Sequence, residues 1–138
     1  MTLRGELDLR ESHAFTADWV VAMNLLVVLQ GPAYGDERSY NGLRLAGSLA
    51  KRDDVNVRIF CFGDAVTCAL DGQNVPDGYY HLDRMLTAAA HHGAEIGLCG
   101  TCMDARGITT EMIIDTTRRS SLDEVTDWVL WADKTITF

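Results

Sequence analysis

The chain has 138 residues, 47% of them apolar and 23% charged, with a formal charge of −8 at neutral pH. That is enough for one domain with a substantial core. Scattered Lys and Arg within an acidic total argue against a nucleic-acid groove, which needs clustered cations, and no stretch reaches the ~20 apolar residues of a membrane span.

The first 22 residues are polar and aperiodic, and Glu6, Asp8, Arg10, Glu11 and Asp18 leave no apolar core for a secretory leader. They are expected to form a loosely ordered N-terminal extension to a single domain over 23–138, with Met23 as a candidate start of that domain. Without an export signal, Cys61, Cys68, Cys99 and Cys102 are expected in a reducing cytoplasm. Buried, metal-binding or catalytic roles then take precedence over a structural disulfide framework.

From Met23 the pattern sharpens. Met23-Asn24-Leu25-Leu26-Val27-Val28-Leu29 is the continuous apolar run of a strand covered on both faces. Gly31-Pro32-Ala33-Tyr34-Gly35 reads as a loop. It matches neither a dinucleotide fingerprint nor a phosphate-gripping Gly-Lys-Ser/Thr motif. Glu37 to Lys51 reads as a helix, with Tyr40, Leu43, Ala46, Gly47 and Ala50 on one face. Val55 to Phe62 is a second strand. Asp64 is placed to cap a short helix reaching Leu70, and the turn-rich stretch 71–78 follows.

A third helix spans Tyr80 to His92, burying Leu82, Met85, Leu86 and Ala89, with Gly93 as its stop. Ala94–Leu98 is a strand leading into Cys99-Gly100-Thr101-Cys102. Met112-Ile113-Ile114 fits a short helix or a strand, and the surrounding stretch 108–120 has no clear period. Ser121-Leu122-Asp123-Glu124 matches a capping box opening a helix through Ala132, its inner face including Leu122, Val125 and Val129. Lys134 to Phe138 closes as a short strand. Strands alternating with helices imply a parallel sheet with helices on both faces, where chemistry collects beyond the carboxyl ends of strands. Three such ends, Gln30–Gly35, Phe62-Gly63-Asp64 and Leu98-Cys99, are expected to converge.

Two cysteines separated by two residues at a strand-to-helix junction form an arrangement that favours a thiolate, because unpartnered N–H groups and the helix dipole stabilise S⁻. Three readings fit the pair: a thioredoxin-like dithiol, two packed cysteines, and a sulfur-transfer thiol that carries sulfane sulfur as a persulfide with a second thiol as helper. Pro32 and Pro76 are badly placed to supply the cis-proline that supports thioredoxin dithiols. His91-His92 with Cys99 and Cys102 would number four zinc ligands, but a strand separates the halves, so no metal is expected. Cys61 reads as a buried small hydrophobe. Cys68, near the presumed rim, reads as core with relay use open. Trp128 and Trp131 are expected in the monomer core, with burial in an assembly as the alternative.

Several strings in order resemble the DsrE/DsrF-like family of small sulfur-relay proteins from Met23 to Phe138. They are the first strand with Gly31-Pro32, Glu37-Arg38-Ser39-Tyr40-Asn41-Gly42-Leu43-Arg44-Leu45-Ala46, Phe62-Gly63-Asp64-Ala65-Val66, Cys99-Gly-Thr-Cys102-Met-Asp-Ala-Arg-Gly107 and Ala132-Asp133-Lys134. The resemblance implies a three-layer α/β/α sandwich around a mainly parallel sheet of about five strands. It also implies trimeric or hexameric assembly, reactive cysteines near subunit contacts, and persulfide transfer between donor and acceptor proteins. The carrier position maps onto Cys99. Cys102 would then receive the sulfur or release it through a transient disulfide. Arg106 would stabilise the persulfide or form a surface ion pair, Asp64 would orient the pocket or cap its helix, and Cys68 would serve as a second relay thiol. No cofactor is implied. A non-catalytic oligomeric scaffold or small-ligand binder of the same fold, and a dithiol oxidoreductase, are the competing functions.

Overall fold

The computed structural model describes residues 21–76 and 80–138; the expected extension falls almost wholly on residues 1–20, outside them. Five strands form one sheet: β1 (Met23–Leu29), β2 (Val55–Cys61), β3 (Glu95–Cys99), β4 (Arg118–Ser120) and β5 (Lys134–Thr137). Their order is β4-β3-β2-β1-β5, and every pairing is parallel. β1 runs alongside β2 for its full length, from Met23↔Val55 to Leu29↔Cys61. The apolar run of β1 has its physical cause here, since Leu25 to Leu29 are all buried and both faces are covered.

Alternation along the strands divides the core. Leu29 faces α1 (Arg38–Ala50), where a side chain at Gly42 would run into the Leu29 methyl. In register with that face lie Val27, Ile59 and Ile96, and α2 (Leu82–His91) packs beside α1 over it. The opposite face carries Phe60, which meets Trp128 of α4 (Leu122–Trp131) edge-on at 6.0 Å between ring centroids. An edge-to-face pair of this kind adds about 0.5–1.5 kcal/mol beyond the burial of its area. Helices therefore cover both sheet faces, the α/β/α arrangement expected from the strand–helix alternation. A six-residue helix, α3 (Gly100–Ala105), follows β3 directly.

Some expectations shift. α1 buries Ser39 and Gly42 as well as Leu43, Ala46 and Ala50, while Tyr40 and Gly47 are half-buried. In α2, Leu82, Leu86 and Ala89 are buried and Met85 lies at the margin. On α4 the inner residues are Val125 and Trp128, whereas Leu122 and Val129 are 69% and 47% exposed. Gly97 explains the difference: it leaves room on β3 for the Trp128 ring, which would lie 3.3 Å from a Cβ there. Trp131 is only half-buried, and the Arg58 guanidinium stacks on it at 3.9 Å from its centroid. The capping box forms by half. Ser121 Oγ accepts the Glu124 N–H at 3.1 Å, but the Glu124 carboxylate turns to Ser120 Oγ and Arg118 instead of the Ser121 N–H.

Met112 ends a short 3-10 turn (Thr110–Met112), and Ile113 makes an antiparallel bridge to Leu70. β4, in the aperiodic stretch, goes unheralded by pattern.

Candidate functional site

Cys99 is the last residue of β3 and the residue from which α3 starts. Ile96 and Leu98 are buried beneath it, and Cys99 itself is 7% exposed. It opens onto a cleft of about 540 Å³ lined by Phe62, residues 99–102 and the β4–α4 junction from Arg119 to Leu122. The ends of β2, β3 and β4 thus meet at the cleft. The loop after β1 does not line it, so the expected convergence holds for two of the three strand ends named from sequence, with β4 supplying another.

Burial raises the cost of ionising Cys99. It is outweighed by hydrogen bonds from the Cys102 thiol, the Thr101 hydroxyl and the backbone N–H groups of Cys102 and Thr101, so the Cys99 thiol sits below its ordinary range. The Thr101 hydroxyl oxygen lies 3.3 Å from Cys99 Sγ. These local donors, more than the dipole of a six-residue helix, make the site. Cys102 moves the other way: its burial and the hydrogen bond and charge it shares with Cys99 push its thiol up, against the Gly63 N–H and Arg106. The two sulfurs are therefore unequal, with Cys99 the thiol that ionises first.

Charged residues hold α3 on both flanks. Arg106 donates through Nε and Nη2 to Asp64 Oδ1 at 2.9 and 2.8 Å, and through Nη1 to the Cys102 carbonyl at 3.0 Å. Asp64 lies inside the 3-10 turn Gly63–Ala69, whose N-cap is Phe62, so the expected Asp64 cap is replaced by a carboxylate that faces Arg106. On the other flank Arg119 forms a fork with Asp104, at 2.7 and 2.9 Å. The bond to Arg119 holds the Asp104 carboxyl below its usual range. Gly100 permits this approach. A Cβ there would stand 2.9 Å from Arg119 Cζ and Nε and from the Ser120 carbonyl oxygen.

Cys68 is not at the rim. It is fully buried, and burial pushes its thiol up to about 12 despite a hydrogen bond with Ser39. Cys61 is likewise buried, its thiol driven up by desolvation and then by Cys68. The structure brings Cys99, Cys102, Asp64 and Arg106 together and leaves Cys68 apart. Among the described residues no group of three or more His, Cys, Asp or Glu side chains could hold a metal ion, and His91 and His92 lie exposed at the end of α2. Nor is any described helix long and apolar enough to cross a membrane. Sequence pattern alone does not single out Thr101, Gly100 or Arg119. Gly100 and Thr101 lay in view inside the cysteine motif, whereas Arg119 owes its place to β4 pairing, which no local pattern announced.

A sequence profile of the DsrE/DsrF-like family matches residues 23–138. The chain belongs to the DsrE/DsrF-like family. This member is 38% identical over 115 residues to protein YchN of Escherichia coli K12, covering 83% of this chain and 97% of YchN. It is 33% identical over 114 residues to a Methanopyrus kandleri protein, covering 83% and 93% of the two chains. The YchN crystal structure superposes with a TM-score of 0.79 over 84% of this chain and 99% of YchN. A Methanobacterium thermoautotrophicum protein, at 10% identity and a TM-score of 0.65 over 84% and 99% of the two chains, shares the fold. Membership puts the DsrE/DsrF-like chain in a family of sulfur-relay type.

Proposed function

We propose that the protein is a cytoplasmic sulfur carrier, sulfurtransferase-like in its chemistry, that relays sulfane sulfur as a persulfide on Cys99. The observation that carries this reading is the unequal dithiol at the mouth of a cleft, where the thiol drawn toward its anion is Cys99. A thiolate is the nucleophile that sulfane transfer requires. The Cys99 thiolate attacks the outer sulfur of a donor persulfide, R–S–SH. A new S–S bond forms as the donor's S–S bond breaks, and the electron pair leaves on the donor sulfur as RS⁻. Cys99–S–SH then passes its outer sulfur to an acceptor nucleophile in the same way. If Cys102 instead attacks the inner sulfur, hydrosulfide leaves and a Cys99–Cys102 disulfide remains, which a thiol reductant must reset. Arg106 holds α3 through the Cys102 carbonyl, so its part in this scheme is positional.

The reading includes a homo-oligomer, trimeric or hexameric, and separate donor and acceptor proteins. Support for assembly comes from α4, which exposes Leu122, Val129 and Leu130, the last at 80%. Leu122 also lines the cleft, so a subunit seated on α4 would stand at its mouth.

Incubating the reduced protein with a sulfane donor and measuring intact mass tests the proposal. Uptake of about 32 Da, one sulfur atom, on Cys99 and its loss in Cys99→Ser is the expected result. Absence of uptake from several donors would overturn it in favour of a scaffold or ligand-binding protein. A reversible Cys99–Cys102 disulfide without uptake would turn it toward a dithiol oxidoreductase.

A further inference from the structure

We infer that Arg119 is the electrostatic positioning residue of the cleft: it holds anionic sulfur at Cys99 and draws in co-substrates that carry negative charge. The inference rests on Cys99 as the sulfur carrier and adds a residue to that site. Arg118 and Arg119 look alike in sequence, but strand alternation sends them to different neighbours. Arg118 reaches Glu124 at 2.6 Å and lies over the Trp128 ring at 5.5 Å, serving the packing of α4. Arg119 turns to α3 and lines the same cleft as Cys99.

Three features set Arg119 there. β4 pairs with β3 so that Ser120 shares the sheet face of Cys99 and Arg119 that of Leu98, and at the strand end the Arg119 guanidinium passes Gly100 to reach α3 and the cleft wall. Gly100, the residue after Cys99, has no side chain to push the guanidinium away. Asp104, on the helix that begins at Cys99, grips both terminal nitrogens, which fixes the planar fork more firmly than it would an ammonium group. The same carboxylate also moderates the field. The charged and titratable groups that act with Cys99 are therefore Cys102 from α3 and Arg119 from β4, the latter paired to Asp104; Arg106 acts on the far side, against Cys102. In a chain of net charge −8, a cation fixed in the wall of the cleft that Cys99 lines is the feature that lets an anionic sulfur species approach.

A latch that merely ties α3 to β4 would contain the same ion pair, so the test must read charge at the thiol. The probes are iodoacetate and iodoacetamide, nearly equal in shape and different in charge, with the site of alkylation and its rate read by mass spectrometry on the full chain. The measured quantity is the iodoacetate-to-iodoacetamide rate ratio at Cys99. Arg119→Gln should lower this ratio about fivefold, Arg119→Lys should restore most of it, and Asp104→Asn, which unmasks the guanidinium, should raise it. In the unmodified protein the ratio should fall between about 10 mM and about 1 M salt, a reading independent of whether any variant folds. A ratio unmoved by Arg119→Gln in a folded protein, or unmoved by salt, would overturn the inference while leaving Cys99 as carrier. Failure of either reagent to label Cys99 in the unmodified protein would overturn the carrier reading and this one with it.

Discussion

Two cysteine pairs sit at neighbouring strand ends, and their surroundings make opposite groups of them. At the end of β2, Cys61 and Cys68 are buried among apolar residues, with one hydroxyl, that of Ser39, beside Cys68, and both thiols are held protonated. Beyond β3, the strand opens onto a cleft, a threonine hydroxyl and two backbone N–H groups turn toward sulfur, and Cys99 is drawn toward its anion. Burial alone does not separate the pairs, because Cys99 is itself only 7% exposed. The difference lies in how many donors each sulfur has, and in whether a reagent can reach it.

The contrast breaks most completely at Cys99 itself. Cys99→Ser should abolish sulfane uptake with little change in melting temperature, since the swap keeps size and a hydrogen-bonding group; mass spectrometry and thermal unfolding check the two halves. Within the native protein, Cys99 should be alkylated at least about 100-fold faster than Cys61 or Cys68 near neutral pH. Denaturant should erase that gap, and time-resolved labelling reads it. Gly100→Ala forces a Cβ into Arg119 and the Ser120 carbonyl, so it should cost about 1–3 kcal/mol in denaturant melts and slow Cys99 labelling. The pH profile sharpens the comparison further. Cys99 labelling should rise with a midpoint below that of an ordinary thiol and Cys102 labelling with one above it. Cys102→Ala, which removes the Cys102 thiol as a donor, should move the Cys99 midpoint upward. Smallest is Ser121→Ala, which removes the α4 cap at the cleft's far wall for about 1 kcal/mol.

How much of this was legible in sequence depended on the range of the interaction behind each feature. β1 declared itself because burial on both faces leaves an unbroken apolar run, and the β3–Cys99 junction because Gly93 punctuates the chain before it. The α4 stripe was ambiguous. Leu122 and Val129 fit a helical face as well as Val125 and Trp128 do, and the choice was made by Phe60 and Gly97, far away in sequence. β4 has three residues, two of them exposed arginines, so neither length nor alternation marked it. Its partner β3 makes it a strand. For the same reason the cysteines of the site were readable from their spacing, while Arg119, placed by that pairing, was not. Cys68 shows the converse: its neighbourhood to a strand end suggested a rim, and only packing reveals a core.

The sheet order places β5 beside β1, so the first described strand is completed by the last. Asn24 shows the span, its N–H donating to Asp133 Oδ2 at 2.8 Å across 109 positions, while its side chain also reaches the Trp131 carbonyl and Asn56. Closing so long a loop carries its entropic cost before the contacts reward it. On a ribosome β1 and β2 can pair early, yet the β1 edge that receives β5 stays open until residues 134–137 have emerged. An unpaired strand edge is a template for pairing with another chain, which makes the interval before β5 docks the period of greatest exposure to aggregation.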